Sequence, residues 1–300
     1  MNKLKLTRSH KDKIHGLWMV FWVIIILIIP ALLGVGLVLK SALLLKGNNF
    51  FQLLCSNEWK PLSGLFGLAP FILSSLWVTV LAVVIAGPVC LLSAIHLTQY
   101  ANRFVLKIMQ PVIDILAGLP SVIYGVWGIL VIVPFVSGIV APAFGIHTSG
   151  YTILSGSLVL AIMIIPFILN ILIDIFNSIP LELQEASLSL GASRWYTIKY
   201  VLVRKAFPGI ISAFGLGVSR AFGETIAVLM VVGNVVAIPN GIFDAGYPLP
   251  ALIANNYGEM LSIPLYDSAL MMAALVLFII VMLFNLVSRI LVIRYEKIYA

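Results

Sequence analysis

Residues 16–39 run for 24 positions without a charged side chain. At about 1.5 Å of rise per residue, a helix of that length crosses a hydrocarbon layer roughly 30 Å thick. The run is too long for the apolar region of a cleavable leader, and no small-residue cleavage pattern closes it, so it reads as an uncleaved first span. Similar runs recur at 68–98, 111–140, 151–173, 208–232 and 268–291, which makes six with the first at 17–39. Each exceeds the length of a barrel strand and lacks alternating polarity, so helix is the expected solution in lipid. Hydrophobic residues form 62% of the chain and charged residues 10%. A soluble domain averages about 25% charged residues, so a water-soluble fold is excluded. The expected fold class is an all-α membrane protein with six transmembrane helices.

The net charge of +7 follows topology and gives no sign of nucleic-acid binding. Lys3, Lys5, Arg8, Lys11 and Lys13 precede the first run, and Arg103 and Lys107 lie between the second and third. Arg194, Lys199, Arg204 and Lys205 separate the fourth and fifth, while Arg289, Arg294 and Lys297 accompany the end of the last. Those fourteen fall on one side, against Lys40, Lys46 and Lys60 on the other, with Arg220 inside a span. The positive-inside rule then places both termini in the cytoplasm. The expected organisation is a basic cytoplasmic tail (1–15), a first helix with its outer loop (16–67), and a transmembrane domain (68–295) carrying a cytoplasmic loop at 174–207. Outer loops are expected at 141–150 and 233–267, which contain no Lys or Arg.

Breaks inside the runs imply a bundle with an interior, because lipid does not satisfy freed backbone groups. They fall at Pro30, Gly87-Pro88, Gly118-Leu119-Pro120, Pro134 and Pro166. The stretch 117–128 (AGLPSVIYGVWG) is dense enough in such residues to expect a bent, cavity-facing segment.

Catalytic chemistry finds little support. His10, His15, His96 and His147 have neither metal-ligand spacing nor an acidic neighbour, and the residues around Ser219 do not form a nucleophile elbow. No phosphate-binding loop, zinc motif or paired spanning acids occur, so no cofactor or metal is expected and any ATP use belongs to another chain. Cys55 and Cys90 fall in an outer loop and a span, which argues against a shared disulfide. Asp114 reads as a cap or interface residue. Arg220 and Glu224, four residues apart, are expected to share a helix face and to pair. A charge at mid-membrane costs roughly 2.5–3.5 kcal/mol on insertion scales, so the pair is either a self-compensating bridge or part of an anion path. Arginine's planar fork suits an oxyanion.

The loop 174–207 (DIFNSIPLELQEASLSLGASRWYTIKYVLVRKAF) is organised. Pro180 opens a short segment containing Glu182 and Glu185, and Gly191 closes it, which predicts a short amphipathic helix followed by a second helical stretch with Arg194, Trp195 and Lys199 near the headgroups. Glu185-Ala186-Ser187, three residues and then Gly191 resembles the E-A-A-x3-G loop of ABC-importer permeases, whose short helix docks on an ATPase subunit. The third position departs from that pattern, and Val201-Leu202-Val203-Arg204 stands where the family carries I-x-L-P. Further stretches, LAGLPSVIYGVWG (116–128), LAIMIIPFILN (160–170), LGASRW (190–195) and SRAFGETIAVLMVVGN (219–234), resemble the permeases of the phosphate-specific importer. Glu58-Trp59-Lys60-Pro61 with Trp127 is closer to its C-type than its A-type subunit.

The resemblance covers roughly 58–290 and implies a type I, MetI-like permease fold. It also implies a homologous A-type permease partner, two cytoplasmic ATPase subunits and an extracytoplasmic phosphate-binding protein. Under it, Arg220 and Glu224 lie in the translocation path, and Glu185, Ala186 and Gly191 form the ATPase coupling element. A sulfate or molybdate permease would share the fold. A membrane-embedded enzyme would need convergent catalytic groups that the sequence lacks, and a secondary transporter would show an inverted repeat and no such loop.

Overall fold

The computed structural model describes residues 8–47, 49–258 and 263–299. Lys3 and Lys5 of the expected basic tail lie outside them. The first helix, α1, spans Arg8–Gly47, so the described part of that tail is helical and continuous with the first span. A short helix α2 (Phe50–Cys55) leads to a two-stranded hairpin, β1 (Trp59–Lys60) and β2 (Leu65–Phe66), paired antiparallel with Trp59 opposite Phe66. Then follow α3 (Ala69–Tyr100), α4 (Arg103–Gly118), α5 (Ser121–Ala143), α6 (Ile153–Asn177), α7 (Leu181–Ser189) and α8 (Arg194–Gly223). A single turn, α9 (Ile226–Leu229), the short α10 (Leu249–Asn256) and the long α11 (Pro264–Tyr299) complete the chain. Six of these helices, α1, α3, α5, α6, α8 and α11, are long and apolar enough to cross a membrane.

Two spans differ from the sequence reading. The third begins at Ser121, not at 111, because Pro120 holds an extended backbone (φ −58°, ψ 140°) and forces Leu119 before it into the same region (φ −65°, ψ 136°). Residues 103–118 instead form α4, whose Val105, Leu106, Met109 and Ile113 make one apolar stripe against the core. Asn102 caps it, its Oδ1 accepting from the Val105 N–H at 2.9 Å. The fifth span starts at Arg194 and ends at Gly223 instead of covering 208–232, which makes the second helical stretch of the 174–207 loop the cytoplasmic extension of α8.

The most enclosed span is α6, which packs against α3, α4 and α8 and contributes Leu160, Ile164, Ile168 and Leu172 to the core, each fully buried. The 117–128 segment is bent as expected, with Gly118 open at its start and Gly125 and Gly128 facing protein. A Cβ on Gly125 would meet Met230 Sδ at 2.6 Å, and one on Gly128 would meet Val159 at 2.6 Å. Across the bend, Tyr124 Oη donates to the Leu116 carbonyl at 2.8 Å.

The 233–267 stretch is more than a surface loop. Within it Leu249, Ala251 and Leu252 are buried beside Phe66, Phe71 and Tyr266 in a second apolar cluster. Ser74 Oγ accepts from the Tyr247 N–H (3.1 Å) and Ser75 Oγ from the Leu249 N–H (2.8 Å), which pins the start of α10 to α3. By contrast α1 buries nothing in its most apolar window and leans chiefly on α11.

Candidate functional site

The first candidate is α7. Its N-terminus is set by Pro180, extended at ψ 133°, and Glu182 sits in the first turn, where a carboxylate favours the helix dipole. Its C-terminus closes through Gly191 at φ +84°. The Gly191 N–H donates to Leu188 O (2.9 Å) and the Ala192 N–H to Ser187 O (3.3 Å), the doubled bond pattern that a left-handed glycine allows. Ser193 then caps α8 by accepting from the Tyr196 N–H. Ser187, the departure from the family triplet, is in hydroxyl contact with Thr197 at 2.9 Å, which ties α7 to the foot of α8. Thr197 is buried, so the tie is anchored.

No residue of α7 is buried. Leu181 is 63% exposed and Leu190 89%, while Glu185 and Ala186 are exposed beside them. The tied helix therefore displays leucines and carboxylates on the surface of this chain.

The second candidate is the end of α8. Arg220 and Glu224 do not pair, and their expected common helix face is absent. The helix stops at Gly223, and Glu224 is extended at φ −70°, ψ 127°. Among the described residues the only ion pair is Lys60–Glu58, an exposed surface contact. The Glu224 carboxylate turns to the next turn of chain, where Oε1 accepts from the Ala227 N–H of α9 at 3.3 Å. It also borders a small pocket lined by Ser75, Thr79, Pro248 and Pro250. Arg220 lies over the Phe167 ring of α6, with the guanidinium carbon 4.6 Å from the ring centre, and is exposed on the surface of this chain. An uncompensated cation on an open face of a spanning helix offers its donors to whatever enters beside it.

Some polar contacts carry no motif. Asp114 Oδ1 accepts from Asn170 Nδ2 (3.0 Å) and from Gln110 Nε2 (3.3 Å), which joins α4 to α6 and makes Asp114 an interface residue. Asn170 Oδ1 in turn accepts from Gln110 (3.1 Å). Asn234, at φ +55°, donates to Leu229 O, while its Oδ1 is buried without a hydrogen-bond partner. The only sequence signal there was the Gly233-Asn234 pair. Cys55 and Cys90 are both free.

Comparison with known proteins bears directly on this arrangement. Residues 88–297 match the family described as the binding-protein-dependent transport system inner membrane component. The chain belongs to that family. A probable ABC transporter permease, YqgH of Bacillus subtilis, is 39% identical over 251 residues, covering 83% of this chain and 80% of the relative. The phosphate transport system permease PstC of Xylella fastidiosa is 33% identical over 272 residues, 86% and 82% of the two chains. The PstC of Haemophilus influenzae is 31% identical over 290 residues, 91% and 90%. Among solved structures, an inward-facing MetNI methionine ABC transporter aligns with a TM-score of 0.56 at 21% identity, over 79% of this chain and 99% of that one. The fold is therefore the MetI-like permease fold, and this family member is a multi-pass inner-membrane transport subunit. Membership implies ATPase partners and a substrate-binding protein.

Proposed function

We propose that the chain is a permease subunit of an ATP-driven inorganic phosphate importer, forming half of the translocation path, with no ATPase site of its own. The observation that carries the reading is Arg220, unpaired and exposed on a spanning helix, in a chain about a third identical to PstC permeases across most of its length. A homologous A-type permease would face this chain and complete the path, and two ATPases would bind α7 of each permease from the cytoplasm. An extracytoplasmic phosphate-binding protein would deliver the anion to the opposite end. Both termini and the 174–207 loop are cytoplasmic in this reading, which rests on the fourteen-to-three distribution of basic residues.

Within the path Arg220 contacts the passing oxyanion, and Phe167 holds the guanidinium by a cation–π contact worth about 0.5–2 kcal/mol. Glu224 keeps the helix broken at Gly223, so that the guanidinium stands at a helix end instead of along a wall. ATP-driven motion enters at Glu185, Ala186 and Gly191 and passes through the Ser187–Thr197 contact into α8, the helix that carries Arg220.

The test is radiolabelled phosphate uptake in cells that express the chain with its partners, with sulfate and molybdate as competitors. Uptake that only phosphate competes away is expected. Competition by sulfate or molybdate would reassign the substrate.

A further inference from the structure

On the surface of this chain, α8 and α11 enclose a groove of about 480 Å³. Ser212, Asn285, Ser288 and Arg289 line it, with Leu216 and Val292 among its apolar walls. The helices meet closely there: a Cβ on Gly215 would collide with the Ser288 side chain, and Ser288 Oγ reaches the Ile211 carbonyl at 3.4 Å. Asn285 is oriented from both ends, since its Nδ2 donates to Val281 O (3.0 Å) and its Oδ1 accepts from Ser219 Oγ (3.1 Å). Two groups in the groove remain unused. Arg289 has no acidic partner and the Ser212 hydroxyl has no hydrogen-bond partner among the described residues.

Depth says what this polarity is for. From Pro264 to Arg289 the α11 axis advances about 37 Å at roughly 1.5 Å per residue, so the guanidinium lies just past a hydrocarbon layer about 30 Å thick. The surrounding surface is apolar and open, with Met282, Leu286 and Ile290 each 54–55% exposed. A fixed cation and a free hydroxyl at the hydrocarbon edge, flanked by exposed apolar side chains, match a lipid that has a phosphate above and acyl chains below. Basic pockets between spanning helices on the cytoplasmic side are known to hold anionic headgroups.

We infer that this groove binds the headgroup of an anionic phospholipid in the cytoplasmic leaflet, with Arg289 and Ser212 as its donors. A free phosphate offers the same oxygens, but it has no acyl chains to occupy the apolar margin. The leaflet rests on the topology proposed above, whereas the binding itself requires neither phosphate transport nor that orientation.

The intact transporter, purified with its partner subunits, would be incubated with phosphatidylglycerol or phosphatidylcholine and weighed by native mass spectrometry. Retained phosphatidylglycerol in preference to phosphatidylcholine is expected, falling about fivefold in Arg289→Gln and recovering in Arg289→Lys. Millimolar inorganic phosphate should leave it in place. Equal retention of the two lipids would overturn the inference, and so would full displacement by inorganic phosphate, which would assign the groove to the free ion. Ser212→Ala, which leaves the membrane charge pattern intact, should weaken retention in the same direction; unchanged retention in both Arg289→Gln and Ser212→Ala would place a partner chain over the groove. Should Arg289→Gln fail to assemble, Ser212→Ala carries the test by itself, and unchanged retention in it would overturn the inference. Loss of phosphate uptake with lipid retention intact would count against the proposed substrate alone.

Discussion

Arg220 and Glu224 lie four residues apart in the sequence, yet they serve different neighbours. Because Glu224 is not the arginine's counter-ion, neutralising Arg220 strands no buried carboxylate, and the usual penalty of about 3–5 kcal/mol for breaking a buried pair does not apply. Arg220→Gln should therefore reach the membrane at normal levels while phosphate uptake falls by at least about tenfold, as measured in cells matched for permease content. Loss of expression in step with uptake would return Arg220 to a structural role. Glu224→Gln keeps an acceptor for the Ala227 N–H and should be mild. Glu224→Ala removes it at a cost of about 1 kcal/mol, typical of a lost cap, and should lower thermal stability measurably. The Gly223-Glu224 break itself carried no sequence signal stronger than one glycine, which spanning helices commonly tolerate. The separation of the two side chains became visible only with the backbone in place.

At the scale of the element, α7 was legible almost residue by residue. Proline before the helix, a carboxylate in its first turn and glycine after its last turn each act locally, so their meaning does not depend on what surrounds them. Gly191→Ala must place a Cβ at φ +84°, at a cost of about 1–2 kcal/mol confined to the helix end. The expected result is normal insertion with much reduced stimulation of the ATPase in reconstituted vesicles; defective insertion would show that the turn serves folding instead. For α4 the sequence reading merged an interfacial helix with the third span, since apolar content alone does not register a change of direction at Leu119-Pro120. The hold of α4 on α6 runs through Asp114 and Asn170, so Asp114→Ala leaves the Asn170 amide without that acceptor. A loss of roughly 1–2 kcal/mol is expected, read as a lower melting temperature of the detergent-solubilised protein.

Across the whole molecule, topology is the property that charge writes most directly. Single cysteines near Ser189 and in the 141–150 loop should label from opposite faces, the first in inside-out vesicles and the second in right-side-out vesicles. Labelling of both from one side would discard the proposed orientation. Span number, fold class and the short helix α7 were determined by the sequence alone, because the hydrophobic requirement of a lipid solvent and the capping of helix ends are one-dimensional constraints. The tertiary structure alone decided that the 233–267 stretch folds back so that Ser74 and Ser75 hold α10, that Asp114 joins α4 to α6 through Asn170, and that Arg220 stands free of Glu224. Each of these depends on donors and acceptors brought together from distant parts of the chain, where pairing is set by the path of the backbone and leaves no periodic trace among neighbouring residues.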